Sequence, residues 1–103
     1  MPKFIFVYHG GSAPQSEAEQ QQVMAAWGAW MGGLGAALAD GGAPVGLSKT
    51  VSATGVADDG GPNPASGYSI VEAPDQAAAV TMAQGCPILD AGGSVEVAEI
   101  HQM

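Results

Sequence analysis

Basic side chains are almost missing from this sequence of 103 residues. Two lysines and no arginine stand against ten acidic residues, for a formal net charge of −8. Phosphate backbones and anionic lipids attract clustered Lys and Arg, so the sequence argues against nucleic-acid and membrane-surface partners. Cysteine is nearly absent too. Cys86 stands alone, which rules out an intramolecular disulfide and fits a reducing, cytoplasmic setting. Large rings are few: two Phe, two Trp and two Tyr. A chain of this length makes one modest core, which predicts a single domain over 1–103 and a homodimer that shares burial. Long apolar runs are lacking as well. "MPKFIFVYHGG" is too short an apolar segment for a signal-peptide core. The uncharged stretch from Gln20 to Ala39 is mostly Ala and Gly, and its apolar part falls short of a membrane span.

What is present reads as alternating elements. Lys3 to Tyr8 is a strand with Ile5 and Val7 on one face and Phe4, Phe6 and Tyr8 on the other, so both faces require cover. Ser16 to Ala39 reads as a helix. Ser16 and Glu19 have capping-box spacing, and Val23, Trp27, Trp30, Leu34 and Leu38 form its apolar stripe, with Gly41 and Gly42 as the stop. Gly28, Gly32, Gly33 and Gly35 each cost about 0.5–1 kcal/mol in a helix interior. They imply either close approach of another backbone or a break near Gly32. A second strand is expected over 44–56 ("PVGLSKTVSATGV") and a turn-rich loop over 57–67. The third strand is "YSIVEA", 68–73, and Asp75 caps a short helix that runs to Gln84. "SVEVAEIHQ", 94–102, is the last strand. The order β-α-β-β-α-β predicts an α+β, ferredoxin-like fold: a four-stranded antiparallel sheet with both helices on one face. A second subunit would cover the other face.

The segments "KFIFVYHGG", "SKTVSATGV", "GYSIVEAPD" and "GCPILDAGGSVEVAEI" resemble the YCII-related domain family over essentially the whole chain. The resemblance implies the ferredoxin-like fold and pairing as a dimeric α+β barrel. Enzyme-like members place a histidine on the first helix opposite an aspartate in a "DP" motif. Those positions fall near Trp30 and at Cys86-Pro87, so neither acid–base group is present. The sequence is similar to the DGPF-like branch, although "DGGP" at 59–62 only echoes that motif.

With that pair gone, His9 is the remaining candidate for catalysis. The topology puts it at one sheet edge with Gly10, Gly11, Tyr68, Cys86, Asp90 and Glu96, and with the loop carrying Asp58 and Asp59. A carboxylate there would orient the ring and raise its pKa. The plainer alternative is a strand-end histidine bonded to a loop carbonyl. Candidate ligand-binding residues are Lys49 as an electrostatic anchor, Tyr68 and Trp30 as pocket walls, and Cys86, which is otherwise a small buried hydrophobe. His101 lies at the opposite edge from His9. No metal-ligand spacing and no phosphate loop occur, so no metal or cofactor is implied. Two functions fit: isomerase- or lactonase-like acid–base chemistry on a small organic molecule, or a noncatalytic ligand-binding, structural or regulatory dimer.

Overall fold

The computed structural model describes residues 1–102. Its central sheet has the order β2-β5-β1-β6 and every neighbouring pair is antiparallel. The strands are β1 (Lys3–His9), β2 (Leu38–Pro44), β5 (Ala65–Glu72) and β6 (Ser94–Ile100). Two further short strands, β3 (Thr50–Ser52) and β4 (Gly55–Ala57), pair only with each other. Helices α1 (Glu17–Leu34) and α2 (Gln76–Ala83) give the molecule the expected α+β, ferredoxin-like architecture.

Alternation along β1 decides what the helices cover. Phe4, Phe6 and Tyr8 are buried, together with Val71, Ala73, Ala79, Ala83, Cys86 and Ile88. Trp27, Trp30 and Leu34 of α1 pack onto this cluster. Ile5, Val7 and His9 point to the other face and are only half-buried, as are Tyr68 and Ile70 beside them. Both helices start as their caps dictate. Ser16 Oγ accepts from the Glu19 amide at 3.1 Å, and Asp75 Oδ1 accepts from the Ala78 amide at 2.8 Å.

Two expectations need correction. The helix runs unbroken through Gly32 and Gly33 but ends at Leu34, and Leu38 belongs to β2. A Cβ at Gly28, Gly32 or Gly33 would meet nothing within 4 Å, so no backbone of this subunit approaches them. The second ladder strand is Leu38–Pro44 rather than 44–56. Pro44 has no N–H to continue the ladder, and beyond it only the Val45 amide still reaches Ser66 O, at 3.1 Å. Val51 and Val56, expected in that strand, instead build the β3–β4 hairpin.

Candidate functional site

A cleft of about 620 Å³ opens between α1 and the β2–β5 half of the sheet. Helix α1 contributes Val23, Met24, Trp27 and Met31, and β2 contributes the backbone from Gly41 to Pro44. Ser66, Gly67 and Tyr68 of β5, with Tyr8 and Ile88, complete the lining. Trp27 stands edge-on to the Tyr8 ring, with centroids 5.0 Å apart. Gly67 makes the wall possible on the Tyr8 side. A Cβ there would lie 3.1 Å from Ala43 O and 3.3 Å from the Tyr8 ring.

None of the residues lining the cleft is Asp, Glu, Lys or His. Its inner hydroxyl is already committed: Tyr8 donates to Ser69 Oγ at 2.7 Å, and Ser69 donates to Gly41 O at 2.7 Å. Burial pushes the Tyr8 phenol up to about 12, so it stays a neutral donor at any physiological pH. Ser66 Oγ is buried without a hydrogen-bond partner.

His9 does not line this cleft. Its ring lies on the uncovered sheet face and is 12% exposed. Nδ1 faces Asn63 O at 2.9 Å and Pro64 O at 3.2 Å, while Nε2 faces Glu96 Oε1 at 3.0 Å. Carbonyls only accept, so Nδ1 must carry a proton. The carboxylate also accepts, so the Nε2 contact is strongest when the ring carries the second proton. The Glu96 hydrogen bond raises the His9 pKa above its ordinary 6.5, against a smaller opposing effect of burial. Both nitrogens are therefore engaged by neighbouring oxygens.

A raised pKa means the folded state holds the proton more tightly than the unfolded chain. The stabilisation is complete below about 6.5 and is lost as pH climbs through the raised value. In an NMR titration the His9 ring is expected to have its midpoint above that of an unperturbed histidine, and Glu96→Gln should bring it down. An unchanged midpoint in Glu96→Gln would remove Glu96 as the cause.

The other anticipated site residues scatter. Tyr68 borders the cleft, but the β5 alternation puts its side chain on the uncovered face with Val7, so its backbone beside Gly42 is what faces the β2 wall. Trp30 sits behind it, where its indole N–H donates to Met82 O at 3.0 Å and its ring stacks on Phe6. Cys86 is 2% exposed, and burial raises its thiol pKa, which opposes thiolate formation. Lys49 lies on the hairpin arm, 3.5 Å from Asp58, with both side chains largely exposed. Sequence reasoning missed Met24, Met31 and the Gly41–Pro44 wall. Met24, Trp27 and Met31 follow a three- and four-residue spacing beside the main stripe, a signal that was there to read. Among the described residues no three His, Cys, Asp or Glu side chains cluster as metal ligands, and no helix is long and apolar enough to cross a membrane.

No curated protein and no solved structure matches the chain. The model of the YCII-related domain matches residues 4–103, which takes in both helices and, apart from Lys3 of β1, every strand described above. On that match, the chain belongs to the YCII-related domain family.

Proposed function

We propose that the protein is a noncatalytic, single-domain homodimer that binds a small, planar, mostly apolar molecule in the cleft between α1 and β2–β5. The observation that carries this reading is the cleft's lining: aromatic, thioether and backbone surface, without an ionisable group poised for proton transfer. The Ser66 hydroxyl, after rotation about χ1, is the polar group left to meet an oxygen or nitrogen of that ligand. Acid–base chemistry of the isomerase or lactonase type is the competing reading. It finds less support, because His9 lies on the other sheet face with both nitrogens engaged.

What supports the homodimer reading is the uncovered sheet face, where Ile5, Val7, Tyr68 and Ile70 form an apolar strip that a second sheet would bury. Such pairing is that of a dimeric α+β barrel. Placement in the DGPF-like branch draws on the echo of that motif in "DGGP" at 59–62.

Coumarin, a planar aromatic lactone, is a suitable probe. It is expected to quench tryptophan fluorescence saturably through Trp27. Met24 is 66% exposed, so Met24→Glu should fold normally while it places a charge at the cleft mouth. Its affinity for coumarin should fall by about tenfold, the cost of facing an apolar ligand with a carboxylate. Equal affinity in wild type and Met24→Glu would move the ligand elsewhere.

A further inference from the structure

Charge is unevenly laid out on this molecule. The chain has two lysines and two histidines against ten acidic residues, and one of each, Lys3 and His9, stands on the uncovered face of β1. Both have a carboxylate as a cross-strand neighbour. Lys3 is directly opposite Glu72 of β5, and His9 lies diagonally from Glu96 of β6, which is opposite Val7. The apolar strip of Ile5, Val7, Tyr68 and Ile70 runs between these two ends. Geometry fixes the His9 end: Nε2 is 3.0 Å from Glu96 Oε1, and the Asn63 and Pro64 carbonyls hold Nδ1 from the loop side. Tyr68 of β5 adds a hydroxyl to this face, and Asp40 of β2 stands at the register position of Ile70. Asp58 and Asp59 precede the two carbonyls in the loop.

We propose that the His9–Glu96 contact is a proton switch on homodimer assembly: protonated His9 balances Glu96 at the interface, and the neutral ring leaves that carboxylate uncompensated in both copies. The inference rests on the homodimer reading and assigns its regulation. A chain of net charge −8 repels its own copy over most of its surface, and the strip flanked by Lys3 and His9 is where that repulsion is least. Glu96 is 66% exposed in the single subunit. Covering the face takes water from its carboxylate, which is costly unless a cation stays beside it. A neutral ring supplies no positive charge in either tautomer. Two-fold pairing counts the loss twice, once per copy. The sign follows from linkage. The dimer holds the His9 proton more tightly than the monomer, so association is strongest below the His9 midpoint and weakens as pH rises through it.

The test is sedimentation velocity of the full chain at constant ionic strength, from about pH 6 to about pH 9. Wild type is expected to be a dimer at the acid end. Its dimer constant should weaken about tenfold across the pH at which the His9 ring resonances titrate. Glu96→Gln keeps the hydrogen-bond acceptor without the charge, and at so exposed a site it should leave circular dichroism unchanged. This variant should lose the step. His9→Gln should be about tenfold weaker than wild type at the acid end and equal to it at the basic end. His101, beyond the end of β6, is the other imidazole, and His101→Gln should keep the step. A wild-type dimer constant that holds steady across the His9 titration overturns the switch and leaves the homodimer standing. So does a step that survives in Glu96→Gln, or one that vanishes in His101→Gln. A wild type that sediments as a monomer at every pH overturns the homodimer reading and the switch together.

Discussion

Gly42→Ala is expected to remove about 3–5 kcal/mol of stability, a large part of what a domain of this size has. Gly42 has φ of 68°, a region that costs an L-residue about 1–2 kcal/mol before any contact is counted. Its Cβ would also overlap the Tyr68 carbonyl oxygen and lie 2.6 Å from the Tyr68 carbonyl carbon. That obstacle is the backbone of β5, which cannot turn aside as a side chain can. Relief requires β2 to part from β5, and with it goes the Gly41 carbonyl that accepts from Ser69. The cleft loses a wall in the same movement, so ligand binding should fail along with stability. Gly33→Ala is the matching control. It sits in α1 with open space around its Cβ, so the helix should gain about 0.5–1 kcal/mol. Denaturant unfolding of the two variants should therefore move in opposite directions.

Phe6→Ala should lose a comparable 3–5 kcal/mol, the usual range for emptying a phenylalanine site in a core. Phe6 is fully buried on β1, between β5 and β6, and stacks on Trp30 with centroids 6.2 Å apart. The core has little else of that size: Phe4, Phe6, Val71 and Ser69 are its largest fully buried side chains. A cavity there leaves Trp30 without its stacking partner. The near-ultraviolet circular dichroism of the tryptophans should weaken in the remaining folded fraction. Phe6→Leu keeps most of the volume and should cost less than about 1.5 kcal/mol. Equal losses for Leu and Ala would mean that ring stacking, and not filled volume, dominates at this site.

These positions also mark what the sequence made legible. Strands β1 and β6 announce themselves by β-branched and aromatic residues, and the two helices by Ser16 and Asp75 at their caps. These are local signals, decided within a few residues. Strand β2 gives none. "LADGGAP" has low strand propensity throughout, and it pairs with β5 because tertiary contacts require it: Gly42 against Tyr68, and Gly41 O under Ser69. The valine-rich stretch after it looks more like a strand than β2 does, yet Pro44 ends the ladder before that stretch begins.

The candidate site divides the same way. The shared edge of His9 and Glu96 followed from topology, and their 3.0 Å pair is there. No reactive side chain marks the cleft, whose lining carries no charge. Simple alternation along β1 holds the lesson. Tyr8 faces the helices, so His9 must face away from them, and the two belong to different surfaces.

Nuclear magnetic resonance with labelled methionine methyls tests the central claim most directly. During a coumarin titration the account predicts that the Met24 and Met31 methyls and the Trp27 indole shift together, while the His9 ring resonances stay fixed. A titration in which His9 shifts and the cleft methyls do not would contradict it.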